Sequence, residues 1–209
     1  MRILIAMLLL FTGSLFAEKT EYYVGGYGGI SIGNTGYDTI SSMDSLTNSS
    51  STTLLLSGQV SMFLVPQFSI DAGIGYRSIQ YTIDFTISGD KGAAQFSWNY
   101  LTIPLTYTYY LRFEPIAVLF QSGGEYSKIL SVNSSGSLDE KDTTGSLGNA
   151  TAGFDISIVL GTGISFDVAN NITVYTLARY LHGVNLLDNT LGTWYNRSWA
   201  FVAGGSIKL

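Results

Sequence analysis

The chain has 209 residues, no cysteine and a formal net charge of −5, and 12% of its residues are charged while 46% are hydrophobic. This length and composition indicate one domain. The lack of cysteine excludes disulfides and a cysteine-linked lipid anchor. The excess of acidic residues argues against nucleic acid as a partner. In water-soluble domains about a quarter of the residues are charged, so the charged fraction of this chain is unusually low for a water-soluble protein.

The N-terminal segment has the pattern of a signal peptide. Arg2 supplies a positive charge, residues 3–11 form an unbroken apolar run, and Thr12, Gly13 and Ser14 interrupt it before Ala17. The run is too short for a transmembrane helix, which needs about 20 apolar residues. We therefore expect residues 1–17 to be a cleaved signal peptide and residues 18–209 to form the exported domain.

The rest of the chain alternates apolar with small or polar residues. Between Phe154 and Phe166 every second residue is apolar or Thr, and the residues between them are mostly small or polar. A period of two predicts β-strands with one apolar face. In chain order, we predict strands at Tyr22–Gly33, Thr53–Leu64, Phe68–Ile87, Phe96–Leu111, Ile116–Leu130, Thr151–Phe166, Ile172–Val184 and Ser198–Leu209.

The connections between these strands alternate in length. Short turns are predicted at Val65–Gln67, Arg112–Pro115 and Asp167–Asn171, and long polar loops at Asn34–Thr52, Ser88–Gln95, Ser131–Ala150 and Asn185–Arg197. Only helices and closed sheets satisfy their backbone hydrogen bonds in hydrocarbon. We predict an all-β fold, an eight-stranded antiparallel transmembrane β-barrel of the up-and-down type, located in the cell outer membrane with both termini periplasmic.

Two details of the pattern support this fold. In the third strand the apolar parity changes between Tyr76 and Ile79, which predicts a β-bulge near Arg77 and Ser78. Aromatic residues cluster towards both ends of the segments, as in the two interfacial girdles of membrane barrels. The alternatives are a soluble β-sandwich with core aromatics and a lipocalin-type soluble barrel with its apolar faces turned inward.

Five charged residues fall on the face opposite the apolar one: Asp71, Arg77, Glu125, Asp155 and Arg179. That face points into the lumen. An eight-stranded barrel is just wide enough for side chains to fill its interior. We expect these residues to form a charge network that plugs the lumen; a narrow channel for small solutes is the alternative.

No catalytic or cofactor site is predicted. His182 is the sole histidine, and its surroundings lack the spacing of a hydrolase triad, so we interpret it as a residue of the barrel rim. Asp139, Glu140 and Asp142 are interpreted as a solvated acidic loop tip rather than a metal site. We therefore expect no enzymatic activity, no cofactor and no bound metal, with a membrane-embedded lipid-modifying enzyme as the least favoured alternative.

Several motifs resemble a known family. Tyr100–Leu111 (YLTIPLTYTYYL), followed by Pro115 and Gly123-Gly124, and the later stretches LGTGISF (160–166) and ARYLHGVN (178–185), resemble the outer-membrane β-barrel domain family that includes PorT-like and OmpA-like small barrels. Gly204, Ile207 and Leu209 are similar to the C-terminal insertion signal of such barrels. The resemblance implies outer-membrane lipids and the barrel-insertion machinery as partners.

The resemblance implies a scaffold without shared catalytic residues, so it does not specify an activity. The long polar loops offer the largest exposed surface, and the sequence therefore favours a structural or surface-interaction barrel. The ligand or partner of the loops is not indicated by the sequence.

Overall fold

The computed structural model describes residues 20–37, 45–87, 90–138, 141–146, 153–184, 187–189 and 192–209. No helix in this part of the chain is long and apolar enough to span a bilayer. The predicted signal peptide, Asp139 and Glu140 lie outside the described residues. The strands are β1 Glu21–Tyr37, β2 Ser45–Ser50, β3 Thr52–Val65, β4 Phe68–Ile87, β5 Asp90–Phe113, β6 Ile116–Leu138, β7 Lys141–Ser146, β8 Phe154–Ala169, β9 Ile172–Gly183, β10 Leu187–Asn189 and β11 Gly192–Lys208.

The long strands close into a barrel. They pair in the order β1-β3-β4-β5-β6-β8-β9-β11, and β11 pairs back with β1 from Tyr23↔Lys208 to Tyr37↔Trp194. Every neighbouring pair is antiparallel, so the backbone groups of the barrel strands are satisfied within the sheet. The predicted eight-stranded up-and-down barrel is confirmed. Three short strands extend it, because β2 pairs with β4, β7 with β6 and β10 with β11.

The faces of the sheet have the predicted polarity. On β8, Ile158, Leu160 and Ile164 are 49%, 54% and 55% exposed, while Val159 between them is completely buried. The same alternation holds along β3 and β9. The outer surface is therefore apolar over the middle of the barrel, whereas the interior holds most of the buried polar groups. This arrangement is stable where hydrocarbon surrounds the barrel.

The bulge that the sequence predicted near Arg77 and Ser78 is wrong. The pairing of β4 with β5 is in register from Gly75↔Thr102 to Ile87↔Asp90, and Ile79 continues the buried series of Arg77. Register shifts occur elsewhere: between β5 and β6, where Leu130 is passed over, and beside two short turns, between Phe63 and Val65 and between Asp167 and Ala169. The apolar residues of β4 move from outward to inward positions after Arg77, because the part of the interior beyond Arg77 is lined by apolar side chains.

The long loops are also shorter than predicted. β5 begins at Asp90 and β6 ends at Leu138, so much of the predicted loops 88–95 and 131–150 is strand. β1 and β11 likewise extend into the predicted loops 34–52 and 185–197. The three short turns are confirmed, each with two residues between strands: 66–67, 114–115 and 170–171. We call the end of the barrel with these turns the turn end and the opposite end the loop end.

Candidate functional site in the barrel interior

An ion-pair cluster lies in the middle of the lumen. Glu125 on β6 forms ion pairs with Arg77 on β4 at 3.3 Å and with Arg179 on β9 at 3.9 Å. The three residues are 4%, 3% and 2% exposed. One carboxylate therefore lies between two guanidinium groups that come from opposite sides of the barrel.

Neutral side chains extend this cluster to further strands. Arg77 donates to Ser198 on β11 at 3.2 Å and to Ser127 on β6 at 3.4 Å, and Ser127 donates to Glu125 at 3.3 Å. Arg179 donates to the Tyr27 hydroxyl on β1 at 2.7 Å. The connections run between strands that are not neighbours in the sheet, so the cluster crosses the lumen.

Aromatic rings cover both guanidinium groups. Arg77 lies over the ring of Tyr100 at 5.5 Å, and Arg179 lies over that of Tyr27 at 5.3 Å. Tyr27, Ser127, Ser198 and Tyr100 were absent from the sequence prediction. All of them have the inward parity of their strands, so the period-two pattern could have placed them in the lumen, although it could not indicate which of them touch.

The other two predicted charges are carboxylates on β4 and β8. Asp71 is 4% exposed and accepts from Ser69 at 2.9 Å and from Thr108 at 2.5 Å, towards the turn end. Asp155 is completely buried and is the register partner of Ser127. The predicted five residues are thus all buried, and ion pairs join Arg77, Glu125 and Arg179.

An apolar cluster fills the lumen beyond the charges, at the loop end. Ile79, Tyr81, Ile83 and Tyr100 are 1%, 2%, 5% and 0% exposed. The rings of Phe96 and Trp98 pack against them: Tyr81 stacks on Phe96 with a centroid separation of 5.4 Å, and the Trp98 indole donates to the Tyr81 hydroxyl at 3.1 Å. The ion pairs are therefore separated from the loop end by a layer of apolar side chains.

The turn end is narrow as well. The Phe63 ring contacts those of Tyr23 and Tyr110, with centroids 4.8 and 5.0 Å apart, and Arg112 lies over the Tyr110 ring. Arg112 also pairs with Asp167 at 3.4 Å. The cavity between these groups leaves about 20 Å³ for the centre of a water molecule, which is room for about one water.

The remaining sequence-predicted residues lie on the wall of the barrel. On β11, Gly204 has inward parity, and a Cβ there would lie 2.4 Å from the carbonyl oxygen of Gly26. Ile207 and Leu209 face outward and are 49% and 78% exposed. His182 lies on the outer face of β9, where its Nδ1 is 3.5 Å from the Tyr180 hydroxyl. Within the described ranges, no group of three or more His, Cys, Asp or Glu side chains could hold a metal ion.

Two solved structures share the fold at low sequence identity. Neisserial surface protein A is 12% identical, with a TM-score of 0.51, over 92% of this chain and 100% of that one. The outer membrane protease OmpT from Escherichia coli is also 12% identical, with a TM-score of 0.53, over 93% of this chain and 100% of that one. Among curated proteins no sequence matches. At this identity the similarity concerns the fold alone.

A family model gives the assignment. The model of the outer membrane protein beta-barrel domain matches residues 16–189, which is most of the chain. The closed antiparallel barrel, its apolar outer face and its polar interior agree with that match. This protein is a member of the outer membrane protein β-barrel domain family and belongs to the cell outer membrane.

Proposed function

We propose that this protein is a non-conducting barrel that carries a surface-exposed β-sheet on the outer membrane, in a structural or surface-interaction role. Its turn end and both termini face the periplasm, and its loop end faces outward. The observation that carries the proposal is the Arg77–Glu125–Arg179 cluster, which crosses the lumen with no member more than 4% exposed.

The cluster supports a closed lumen for a physical reason. A solute that passes through the barrel must separate Glu125 from two arginines, and breaking one buried ion pair costs about 3–5 kcal/mol. The apolar layer around Tyr81 and Tyr100 lies on one side of this barrier, and the one-water cavity beside Tyr110 lies on the other. Three barriers in series favour a plugged barrel over a channel.

The strand lengths support a role at the cell surface. β4, β5 and β6 have 20, 24 and 23 residues, whereas about 9–11 residues cross the membrane. At about 3.3 Å per residue and a tilt of about 45°, a strand as long as β5 rises roughly 55 Å, about twice the apolar band of a membrane barrel. The sheet of these strands with β2 and β7 therefore extends beyond the membrane and offers a rigid polar surface to a partner.

Conductance in planar bilayers tests the closed lumen. We expect the wild-type barrel to give no single-channel steps, and we expect steps from a variant with Glu125→Ala and Arg77→Ala, which removes both the carboxylate and the side chain that crosses the lumen. Steady wild-type conductance, and the same conductance in the double variant, would refute the plug and favour the channel.

Cysteine labelling tests the orientation, because the natural chain has no cysteine. Asn133 on β6 and Gln67 in a short turn are both exposed. We expect a membrane-impermeant maleimide to label Asn133→Cys on intact cells and to label Gln67→Cys only after the outer membrane is permeabilised. The reverse pattern would overturn the assignment of the turn end to the periplasm.

The C-terminal residues support assembly by the barrel-insertion machinery. Ile207 and Leu209 place two exposed apolar side chains on the lipid-facing side of the last strand, as in the C-terminal signal that the sequence resembles. Outer-membrane lipids are the expected surroundings of this face.

A further inference from the structure

The sheet that projects beyond the membrane carries nine neutral polar side chains on the outer face of its base. They begin two residues beyond Tyr76 on β4 and Leu101 on β5. Ile79, Tyr81 and Val132 are buried on the inner face of the same strands, so the residues between them point outward. The register across β4, β5 and β6 places the nine in three rows: Ser78, Asn99 and Ser131; Gln80, Ser97 and Asn133; and Thr82, Gln95 and Ser135.

Hydroxyls and amides alternate throughout these nine positions, which we call the hydroxyl-amide patch. In each row and along each strand, neighbouring positions combine one Ser or Thr with one Asn or Gln. All nine side chains are half-buried or exposed, and their residue types carry no charge. Because hydroxyl and amide groups both donate and accept hydrogen bonds, a partner that touches the patch meets donors and acceptors side by side.

Internal hydrogen bonds hold part of the patch in place. The Tyr76 hydroxyl donates to Asn99 Oδ1 at 2.6 Å, and Asn99 Nδ2 donates to Ser131 Oγ at 2.9 Å. In the third row Ser135 Oγ lies 3.5 Å from Gln95 Oε1. Strands lie about 4.8 Å apart and alternate residues about 6.6 Å apart, so the nine positions cover roughly 10 by 13 Å of the sheet.

The composition of the patch favours a neutral partner that forms hydrogen bonds. Protein interfaces centre on aromatic, apolar or arginine anchors, and nucleic acids bind through lysine and arginine; none of the nine residues is of these types. The side chains of the patch also lack the apolar surface that acyl chains would bury. A polysaccharide without charged groups fits these observations, because each of its hydroxyls both donates and accepts.

We propose that the hydroxyl-amide patch binds a neutral polysaccharide outside the cell. The proposal deepens the surface-interaction role given under Proposed function and rests on it for the orientation of the barrel. A repeating polymer suits a repeating surface, since successive sugars meet successive rows with the same groups. One hydrogen bond that replaces bonds to water contributes little, so the affinity comes from several rows and from the many equivalent segments of one polymer chain.

Biolayer interferometry of the folded barrel tests the proposal, in a polyoxyethylene detergent whose headgroup contains no sugar. The probes are three immobilised neutral polysaccharides, dextran, mannan and galactan, and dextran sulfate, which adds charges to the dextran backbone. We expect binding to at least one neutral polysaccharide that persists at about 1 M salt, where charges are screened beyond about 3 Å. Binding to none of the three, binding to dextran sulfate alone, or binding that salt abolishes would overturn the proposal.

A double variant tests whether the patch is the site. Gln80→Ala with Asn133→Ala removes both amides of the central row and leaves the charge of the barrel unchanged. Losing the hydrogen bonds of two amides should weaken polysaccharide binding about tenfold or more.

The matched control is Gln67→Ala with Asn171→Ala, which removes the same two residue types from exposed positions in short turns at the opposite end. Its polysaccharide binding should equal that of the wild type. Wild-type binding by the patch variant, or an equal loss in the control, would overturn the assignment of the site. A heat-modifiability gel shows that every variant is folded.

The labelling of Asn133→Cys on intact cells separates this proposal from the proposed function, because polysaccharide binding by the purified barrel does not depend on orientation. If Asn133→Cys is labelled on intact cells but the purified barrel binds none of the neutral polysaccharides, the surface-exposed sheet stands and the polysaccharide site falls. If the purified barrel binds a polysaccharide but Asn133→Cys is labelled only after permeabilisation, the patch remains a binding site and its location outside the cell is overturned.

Discussion

Replacing Glu125 by glutamine perturbs the centre of the lumen with the smallest change of shape. The carboxamide keeps the volume of the side chain but loses the charge that faces Arg77 at 3.3 Å and Arg179 at 3.9 Å. Removing one partner of a buried ion pair costs about 3–5 kcal/mol, because the other charge stays buried without compensation. Here two arginines lose their carboxylate, but Ser198 and Tyr27 still accept hydrogen bonds from them. We therefore expect a loss of about 3 kcal/mol in the free energy of unfolding, at the lower end of that range.

Urea unfolding of the barrel in lipid vesicles measures this loss, with folded and unfolded protein separated by their gel mobility without boiling. Glu114→Gln is the matched control, because Glu114 is exposed in a short turn and surface substitutions change stability by about 0.5 kcal/mol or less. If the free energy of unfolding of Glu125→Gln lies within about 1 kcal/mol of the wild-type value, as expected for the control, then the lumen is hydrated enough to screen the charges of the two arginines. That result would contradict both the energetic argument and the plug.

Three further predictions concern the wall and the ends of the barrel, each measured by the same unfolding assay. Gly163→Ala should destabilise by about 1–3 kcal/mol or prevent folding, since its Cβ would lie 2.0 Å from the backbone oxygen of the neighbouring strand, whereas Gly58→Ala, whose Cβ meets nothing nearer than 4.0 Å, should be neutral; equal effects would contradict this. Ile79→Ala should cost about 2–4 kcal/mol by leaving a cavity in the apolar layer, and a loss below about 1 kcal/mol would show that this layer is loosely packed. Arg112→Gln should cost roughly 0–1 kcal/mol, because its ion pair with Asp167 is 32% and 40% exposed, and a larger loss would mean that the turn end is tighter than its exposure suggests.

The sequence pattern predicted the fold because the outer face of most strands contacts the hydrocarbon of the membrane and is therefore apolar. On β8 every outward position between Phe154 and Phe166 is apolar or Thr, and the structure confirms that face as the exposed one. The same rule failed on β4. Ile79, Tyr81 and Ile83 are apolar and buried. The lumen towards the loop end is packed with side chains and contains little polar surface. Periodicity shows that residues share a face, but the environment of that face depends on the tertiary structure.

The strand ends could not be predicted for a related reason. The segment from Ser131 to Leu138 is rich in Ser, Asn and Gly, and outside the membrane neither face of its sheet needs to be apolar. Such a strand has no alternation, so its composition is that of a loop. The five lumen charges could be found by parity, but their contacts could not, because the contact of Arg77 with Glu125 depends on the curvature and stagger of the closed sheet.

Because the barrel is narrow and its interior is filled, only its outer surfaces are available to bind partners. Its interior is occupied by groups that contact one another: Glu125 pairs with two arginines, Asp71 accepts hydrogen bonds from two hydroxyls, and Tyr81 and Trp98 are joined by a hydrogen bond. Each internal contact stabilises the barrel and also removes a group that could bind a solute. Two kinds of surface then remain for partners. The lipid-facing band is surrounded by the membrane, and under the proposed function the projecting sheet meets a macromolecule outside the cell. Substitutions in the lumen should therefore change stability, whereas substitutions on the projecting sheet should change binding and leave the unfolding free energy nearly unchanged.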